Sequence, residues 1–485
     1  MIDSYILDIA EKDQMSQLLA DLSKPTLQRE FICPISAGKN GISVIKIPNK
    51  YVLVGFSSGG NYRLRDTFDY SESVMKDLVF KTSKIGVMPL AMANVIDAQS
   101  IDEEFIRDVQ EPIVEYALKH KFAILNGELA KLGNMMNCPC NITATMIGAT
   151  PRDKVKGNLP YEFKVANTKY FVFDPKEKMV WLNSDGIGTK SLINARFKKY
   201  EDSINDLFAM QYDDRGKLGG GAFVSFNIIE SNGNIPFNRM QKRAGDLASR
   251  IGSYSVLQHE DVGDRIVGPH SEKNVFNGSG TLVSLIDEES ISRLPKPHKN
   301  DYLIAIRGYG RSNGFTDRRN LMVEWLGENW HETLCGKAFG EFLTIPSLIF
   351  YPVFAELISK NIATSCFHMS GGTYRDKLAK ILKRNGLYVE IGIHPNSPDL
   401  YKPDPRETAF CSHFSTVDAY SKFAIGNEAF ITTHRPKDAL KCLKKEGFEA
   451  KIVSVLQEKN DVSGLKLKAF NGEIISFVEK MERLL

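Results

Sequence analysis

The sequence predicts an α+β protein of layered strands and helices, in which one module occurs twice before a third α/β unit. The main support is an order of elements, strand–turn–helix–strand–helix–strand, that is present in Tyr51–Gly148 and again in Tyr170–Ile286. Copies of this length are too long for a solenoid, whose repeats are about 20–50 residues. We therefore expect two tandem globular modules.

Two segments mark the boundaries between the expected units. Thr150–Pro160 is rich in Pro, Gly, Lys and Arg, a composition that is typical of a linker. Pro295, Pro297 and His298 mark the second boundary. We expect modules at residues 1–155 and 156–298, followed by a C-terminal domain at residues 299–485.

The elements of the first copy follow from its apolar patterning, because short apolar runs predict strands and apolar residues three or four apart predict helices. Met1–Leu22 has the second pattern and is expected to be an amphipathic helix. The elements expected after it are strands at Ile42–Ile47 and Tyr51–Phe56, a turn at Ser57–Asn61, a helix at Glu72–Thr82, a strand at Gly86–Ile96, a helix at Asp102–His120, and strands at Phe122–Leu125 and Ile142–Gly148.

The second copy and the third unit are interpreted in the same way. In the second copy we expect strands at Tyr170–Asp174 and Met179–Asn183, a turn at Asp185–Lys190, a helix at Glu201–Tyr212, a strand at Ala222–Ile229, a helix at Arg239–Ile251, and strands at Ser253–Leu257 and Gly280–Ile286. In the third unit we expect strands at Tyr302–Ile306, Ala429–Thr433 and Ala450–Val455, helices at Leu348–Lys360 and Pro436–Glu446, and a strand and a final helix within Lys459–Leu485.

The composition excludes several classes of protein. The net charge is only +3, and basic and acidic residues are mixed along the chain, so the basic stripe with interleaved aromatics of a nucleic-acid-binding protein is absent. No run approaches the ~20 apolar residues of a membrane-spanning helix. The seven cysteines are scattered, which favours a reducing compartment. We expect a cytoplasmic protein that binds neither nucleic acid nor membrane.

The strongest chemical motif is Ser184–Lys190, SDGIGTK, directly after a predicted strand. Gly186 and Gly188 would let the backbone approach a phosphate, while Thr189 and Lys190 supply a hydroxyl group and a cation. Asp185 could hold Mg²⁺, which prefers carboxylates and phosphate oxygens. Taken alone, the same residues are also compatible with an ordinary tight turn that contains an aspartate.

Two further groups of carboxylates follow this motif. Asp206 begins the helical segment DLFAMQYDD, which ends in Asp213 and Asp214. Because the helix dipole disfavours carboxylates at a C-terminus, a cation partner is plausible there. Glu260 stands at the end of a predicted strand, where it could reach the same site.

Together these residues resemble the aminoimidazole ribonucleotide synthetase superfamily, which also includes formylglycinamidine ribonucleotide synthetase, selenophosphate synthetase and thiamin-phosphate kinase. DGIGTK is similar to the family's DGVGTK, and DLFAMQYDD to its DLVAMCVND, with Asp214 at the last Asp. Glu260 falls at the Glu of GGET, although the preceding residues are Gln258 and His259 instead of glycines. The resemblance implies ATP-binding residues Asp185, Gly186, Gly188, Thr189, Lys190, Asp206, Asp214 and Glu260, with Asp185, Asp214 and Glu260 as Mg²⁺ ligands.

The third unit carries the synthetase-type motifs of the resemblance. RSNGF (Arg311–Phe315) is similar to the family's HSNGY, and FHMSGGT (Phe367–Thr373) to its HLTGGG. YSKFAIGNEAFI resembles the stretch FNMGVGM less closely. Substrate is therefore expected at Ser312, Asn313, Gly314, Ser370, Gly371 and Gly372, and His368 is a candidate proton carrier. The loops Gly308–Gly314 and Ser370–Gly372 would hold a substrate phosphate through their backbone N–H groups.

The first copy is a degenerate version of the second. It has FSSGGNY (Phe56–Tyr62) in place of SDGIGTK, without the Asp and the Lys. It retains a glycine-bearing stretch, Ser36–Ser43, which is similar to an N-terminal segment of the family. In the family, two such modules pair across a dimer axis into one closed β-barrel. The resemblance thus implies an intramolecular barrel with one ATP site, to which Lys39 of the first copy would contribute, in a chain that is a monomer or a further homodimer.

The resemblance implies a reaction for a small-molecule ribonucleotide substrate. ATP would phosphorylate the amide oxygen of formylglycinamidine ribonucleotide, and the amidine nitrogen would then close the ring to aminoimidazole ribonucleotide, with Lys190 and Mg²⁺ neutralising the transferring phosphoryl group. Two alternatives stay open: an ATP-using member of the superfamily with a different acyl or amide substrate, and a non-catalytic descendant that binds nucleotide.

Overall fold

A computed structural model describes residues 14–34, 43–59, 67–133, 136–262, 273–292 and 295–480. The chain divides into two compact units. Unit 1 comprises Met1–Leu207 and Gly221–Ser292, and unit 2 comprises Phe208–Gly220 and Arg293–Leu485. Unit 1 therefore contains most of both expected modules, and the expected C-terminal domain lies in unit 2.

Unit 1 consists of two mixed sheets with helices. Residues 14–23 are helical, within the predicted N-terminal helix. Short 3₁₀ turns span Lys24–Leu27 and Arg152–Lys154. The elements of unit 1 are β1 (Ile32–Pro34), β2 (Ser43–Ile45), β3 (Tyr51–Gly59), α1 (Thr67–Lys84), β4 (Met88–Ala98), α2 (Glu103–His120), β5 (Ala123–Lys131), β6 (Cys140–Pro151), β7 (Tyr161–Val165), β8 (Thr168–Phe173), β9 (Met179–Gly186), α3 (Lys190–Arg196), the first half of α4 (Tyr200–Gly216), β10 (Ala222–Ser231), α5 (Phe237–Ile251), β11 (Tyr254–Asp261), β12 (Phe276–Ile286) and α6 (Glu288–Ser292).

Local sequence explains where these helices begin and end. The carboxylate of Asp102 accepts the N–H of Phe105 at 2.8 Å and caps α2, as the helix-start pattern predicts. In α5 the buried residues Met240, Ala244, Leu247 and Ala248 recur at four- and three-residue spacing, so that one face packs against the sheet. Gly252 ends α5 with a φ of 77°, a conformation that glycine adopts without strain.

The same strand topology occurs twice in unit 1. One sheet has the order β5-β4-β6-β3-β8-β7, and the other has the order β11-β10-β12-β9-β2-β1. In both, the first pair is parallel and the next two pairs are antiparallel. The recurring order of elements in the sequence thus corresponds to a recurring topology.

The expected closed barrel is not formed by hydrogen-bonded strands. In the described ranges, the strand pairs fall into two separate six-stranded sheets. The hairpin β7–β8 occupies the free side of β3, and β2 occupies the free side of β9, so neither strand pairs with the other sheet. The sheets are held together by side chains instead, in an apolar core that includes Leu53 and Phe173 from one and Val180 and Phe226 from the other.

Unit 2 contains a four-stranded sheet of order β14-β16-β13-β17 and a three-stranded sheet of order β15-β18-β19. A 3₁₀ turn spans Trp330–Glu332, and a π-helical turn spans Tyr374–Ala379. The elements of unit 2 are the second half of α4, β13 (Tyr302–Arg307), α7 (Phe315–Leu326), α8 (Leu334–Leu343), α9 (Tyr351–Ser359), β14 (Ser365–His368), α10 (Lys380–Arg384), β15 (Tyr388–Ile391), α11 (Pro405–Cys411), α12 (Thr416–Lys422), β16 (Asn427–Thr433), α13 (Pro436–Lys445), β17 (Ala450–Val455), β18 (Val462–Lys468) and β19 (Ile474–Lys480).

The predicted C-terminal helix is wrong, because Ile474–Lys480 is the strand β19. Its side chains alternate, with Ile475 and Phe477 buried and Ile474, Ser476 and Val478 exposed. This period of two is that of a half-buried strand. In the described part of the chain, no helix is long and apolar enough to cross a bilayer.

Candidate functional site

The SDGIGTK motif forms the end of β9 and the turn that leads into α3. Ser184, Asp185 and Gly186 are the last residues of the strand, and the N–H of Ile187 donates to the carbonyl of Gly278 on β12 at 2.9 Å. Gly188 has a φ of 63°, and a Cβ there would meet nothing within 4 Å. The turn is therefore anchored to the sheet on one side and open at Gly188.

Beneath this turn lies a buried ion pair. Lys190 Nζ is 2.6 Å from Asp206 Oδ1, and both side chains are only 3% exposed. Asn194 Nδ2 donates to Asp206 Oδ2 at 3.0 Å and to Ser203 Oγ at 2.7 Å. A buried charge is tolerated only when it is paired and hydrogen-bonded, and here the start of α3 and the start of α4 provide these partners to each other.

Two of the three predicted Mg²⁺ ligands do not converge. Asp185 lies on β9 and Glu260 on β11, with β12 and β10 between them. Three strand spacings separate these strands by about 14 Å, too far for two carboxylates to share one ion. Glu260 instead accepts the N–H of Gly59 at 3.3 Å, and burial raises the pKa of its carboxyl group. The described residues contain no group of three or more His, Cys, Asp or Glu side chains that could hold a metal.

The third predicted ligand, Asp214, belongs to unit 2, where it forms an ion pair with Lys217. Burial acts to raise its pKa, but Lys217 and Lys377 hold the pKa well below the usual range. Asp214 is therefore ionised at neutral pH and already has a cation partner.

His368, the predicted proton carrier, is buried at the end of β14. Its Nδ1 is 3.6 Å from Asp213 Oδ2, and the other oxygen of Asp213 accepts the N–H of Tyr351 at 2.7 Å. Burial lowers the pKa of His368 to about 3 and raises that of Asp213. The buried His368 imidazole is therefore neutral at neutral pH, and its role as a proton carrier stays a prediction.

The loop Gly308–Gly314 in unit 2, which contains the predicted substrate residues Ser312, Asn313 and Gly314, is held by internal hydrogen bonds. The N–H of Arg311 donates to Glu428 Oε1 at 2.5 Å, and Asn313 Nδ2 donates to the carbonyl of Lys422 at 2.5 Å. Gly314 has a φ of 70° and begins α7.

Three charged residues that the sequence interpretation did not assign surround this loop. Arg318 donates to the carbonyls of Gly310 and Asn313, and it pairs with Glu407 Oε1 at 3.3 Å. Glu407 also accepts the N–H groups of Ile425 and Gly426, each at 3.1 Å. Glu428 is 1% exposed. No local pattern distinguishes Glu407 or Glu428 from a surface residue, since their role depends on contacts across unit 2.

The second predicted substrate loop, Ser370–Gly372, is more open. Gly371 is exposed, and a Cβ there would meet nothing within 4 Å. The carbonyl of Ser370 accepts the N–H of Thr373 at 3.1 Å, and Gly372 has a φ of 78°. This loop retains room for a ligand.

The turn expected at Ser57–Asn61 is wrong through Gly59, because these residues continue β3, and the rest of it lies outside the described residues. The end of β3 has its own charged group. The strand registers place Ser58 where the second copy has Asp185, because Gly59 is paired with Thr143 and Gly186 with Ser279 at equivalent positions. Ser58 Oγ donates to Asp77 at 2.7 Å, and Lys81 Nζ lies 2.6 Å from both Ser58 Oγ and Asp77. Lys39 lies outside the described residues.

Comparison with known proteins supports the sequence resemblance. No family model matches the chain. The phosphoribosylformylglycinamidine cyclo-ligases of Streptococcus uberis and Streptococcus sanguinis are each 24% identical to it over 217 residues, or 44% of this chain. The chain spans 63% of the length of these curated relatives.

Among solved structures, the chain is similar to phosphoribosylformylglycinamidine synthase II from Thermotoga maritima, with a TM-score of 0.39, 11% identity and coverage of 61% of this chain and 43% of that one. It is also similar to thiamine-monophosphate kinase from Stenotrophomonas maltophilia, with a TM-score of 0.29, 11% identity and coverage of 94% and 96%. The resemblance predicted from the motifs is confirmed by sequence: the chain is similar to the phosphoribosylformylglycinamidine cyclo-ligases, the aminoimidazole ribonucleotide synthetase family.

Proposed function

We propose that this protein uses ATP to phosphorylate an amide or acyl oxygen of a small molecule. The observation that carries the proposal is the buried Lys190–Asp206 pair directly after the Asp185–Thr189 turn. A lysine fixed in this way can present its charge to a phosphate without losing side-chain freedom on binding. In phosphoryl transfer, positioning and electrostatic stabilisation supply most of the catalysis.

Within this proposal, Gly186, Gly188 and Thr189 would contact the phosphates, and Lys190 would neutralise charge on the transferring group. Both oxygens of Asp206 are engaged by Lys190 and Asn194, so Asp206 would orient the lysine instead of binding metal. Asp185 is the carboxylate of this turn that fits Mg²⁺, which is commonly held by one or two carboxylates plus phosphate oxygens. The ion would supply charge neutralisation to the phosphates.

The first candidate reaction is ring closure of formylglycinamidine ribonucleotide to aminoimidazole ribonucleotide, as the names of the sequence relatives suggest. A phosphorylated amide oxygen is a good leaving group, so the amidine nitrogen can attack the activated carbon and release phosphate. The second candidate is the same activation of a different substrate. This candidate is favoured by Glu428, whose carboxylate accepts the N–H of Arg311 in the loop that was expected to bind substrate phosphate. That N–H is therefore already hydrogen-bonded.

The proposal is tested by measuring ATP binding and phosphate release in the full chain. We expect ATP binding to depend on Mg²⁺ and to fall at least tenfold in Lys190→Met, while Lys46→Met, which removes an exposed lysine of the same unit, leaves it unchanged. Equal affinity of Lys190→Met and the wild type would reject the nucleotide site. Phosphate release that depends on formylglycinamidine ribonucleotide identifies the first candidate reaction.

A further inference from the structure

The glycines of the Gly308–Gly314 loop make room for carboxylates of the chain itself. A Cβ at Gly308 would collide with the carboxylate of Glu428, and a Cβ at Gly310 would collide with Glu407 and Arg318. Glycines in an anion-binding loop commonly allow a phosphate to approach the backbone. Here the approach is made by Glu428 and Glu407, so these two glycines are explained without a ligand.

Three backbone donors in or beside the loop are also taken by these carboxylates. Glu428 Oε1 accepts the N–H of Arg311 at 2.5 Å, and Glu407 accepts those of Ile425 and Gly426. Both glutamates are at most 1% exposed. Their carboxylates therefore occupy, from inside the fold, the position that an anionic ligand would need in order to bind these N–H groups.

The surrounding charges are balanced in pairs. Arg311 Nε lies 3.9 Å from Glu428, Arg318 pairs with Glu407, and Lys422 Nζ is 2.9 Å from Asp317. A phosphate placed here would face Glu428 and the ionised form of Glu407 at close range, and a like-charge contact in a buried site is costly.

Two neutral side chains of the loop offer unpartnered polar atoms to a ligand. Within the part of the chain that the structure describes, Ser312 Oγ and Asn313 Oδ1 are buried and have no hydrogen-bond partner. The Asn313 oxygen is an acceptor only, and it would repel a phosphate oxygen. Both atoms can accept hydrogen bonds from a ligand N–H or O–H group, and the Ser312 hydroxyl can also donate one.

We propose that the Gly308–Gly314 loop binds a part of the substrate that carries no phosphate and presents hydrogen-bond donors, because Glu428 already takes the N–H of Arg311 and Glu407 lies against Gly310. The inference rests on the proposed function, since it concerns the acceptor of that phosphoryl transfer. It favours an unphosphorylated amide or acyl substrate over a phosphoribosyl compound anchored at this loop.

The first test compares formylglycinamidine ribonucleotide with its dephosphorylated riboside, titrated calorimetrically into the full chain without ATP. We expect the two affinities to agree within threefold, or both ligands to fail to bind. A ribonucleotide that binds more than tenfold tighter than the riboside overturns the inference. ATP binding is measured separately, so a failure of the nucleotide site is distinguished from a failure of this inference.

The second test asks whether removing the Glu428 carboxylate creates a phosphate-binding site. In Glu428→Gly the N–H of Arg311 loses its acceptor, so we expect saturable binding of ribose 5-phosphate that wild type and Glu428→Gln lack. Glu458→Gly, which removes an exposed glutamate, is the matched control. Ribose 5-phosphate binding by wild type, or none by a folded Glu428→Gly, counts against the inference. If that variant does not fold by circular dichroism, Glu428→Ala replaces it, and the ribonucleotide–riboside comparison remains decisive.

Discussion

At the scale of single residues, the lysine of the SDGIGTK motif is a structural member of its site as well as a candidate phosphate ligand. Lys190 and Asp206 are buried together, and each offsets part of the desolvation penalty of the other. This arrangement explains how a cation can be held in a fixed position under a turn, and it makes the pair sensitive to loss of one partner.

We expect Lys190→Met to lower the free energy of unfolding by about 3 kcal/mol, because a buried carboxylate is left unpaired. Lys46→Met removes a lysine that pairs with Glu288 in solvent, and we expect it to cost less than about 1 kcal/mol. Urea unfolding monitored by circular dichroism measures both. The double variant Lys190→Met/Asp206→Leu should recover most of the loss, and no recovery would contradict this account.

Glu407 gives a prediction about pH. Burial raises the pKa of its carboxyl group to about 7, against the lowering influence of Arg318 and of the Gly426 N–H. Because the folded pKa exceeds the ordinary value of 4.5, the stability it contributes is complete below pH 4.5 and is lost as the pH rises through 7. We expect Glu407→Gln to remove this part of the pH dependence, at most about 3 kcal/mol, in urea unfolding at pH 4.5, 6 and 7.5.

In the same unfolding experiment, His368 is a control whose pH dependence is expected to have the opposite sign. Its pKa is lowered to about 3, so its contribution to stability is present above pH 6.5 and is lost as the pH falls toward 3. His368→Gln should therefore flatten the stability curve on the acid side only. Identical pH profiles for Glu407→Gln and wild type would show that Glu407 has a normal pKa.

At the scale of secondary-structure elements, the two sheets of unit 1 meet through reciprocal polar pairs. Asn141 Nδ2 on β6 donates to Glu230 on β10 at 2.6 Å, and Asn277 Nδ2 on β12 donates to Asp97 on β4 at 2.7 Å. The strand registers pair Asp97 with Asn141 and Glu230 with Asn277, so these positions are equivalent in the two copies. Such mutual contacts are those of a twofold interface, here within one chain.

The exchange of asparagine and aspartate tests this interface. Asn277→Asp puts two buried carboxylates side by side, and we expect it to lower the free energy of unfolding by roughly 2–4 kcal/mol. Asp97→Asn in the same chain restores one donor and one acceptor, so the double variant should regain most of that loss. Calorimetric melting measures each variant, and additive losses in the double variant would show that the two residues do not interact.

Much of the element order could be predicted because it depends on local pattern. The helices at Glu103–His120 and Phe237–Ile251 and the strands at Met179–Gly186 and Ala450–Val455 are confirmed within a few residues. The partners of the hairpins could not be predicted in this way. The hairpin β7–β8 pairs with the sheet of the first copy, and the hairpin β1–β2 pairs with the sheet of the second copy. Which hairpin joins which sheet depends on which edge strand is free to pair.

The candidate site likewise contains features that local sequence could predict and features that it could not. The turn at Asp185–Lys190 could be predicted because its residues directly follow a strand. The structure brings Lys190 to Asp206, which lies only a short distance further along the sequence. The predicted convergence of Asp185 with Glu260 required knowledge of strand order, and the two intervening strands separate them. Glu407 and Glu428 contact the Gly308–Gly314 loop but follow it by more than 90 residues in the sequence, so no local motif contains them.

At the scale of the whole molecule, two copies with one topology carry different residues at equivalent strand ends. The second copy has Asp185 and a 3% exposed Lys190 paired with Asp206, whereas the first has Ser58 with Asp77 and Lys81, whose side chains are about one-fifth exposed. In the first copy, the lysine and the hydroxyl group are already bound to Asp77 and to each other. At this position the second copy has a carboxylate and the first has a hydroxyl group, so under the proposed function the second copy is the one expected to bind a magnesium-bound nucleotide.

This asymmetry predicts one ATP site per chain. In calorimetric titrations with Mg²⁺ we expect a stoichiometry of one, since Ser58 lacks the carboxylate that Asp185 would offer to the metal under the proposed function. Asp185→Asn should weaken ATP binding at least tenfold, because Mg²⁺ loses its protein ligand, whereas Asp77→Asn in the first copy should leave the affinity within about twofold, a free-energy change of about 0.4 kcal/mol. A stoichiometry of two, or a loss of binding in Asp77→Asn equal to that in Asp185→Asn, would mean that the first copy binds nucleotide despite its altered turn.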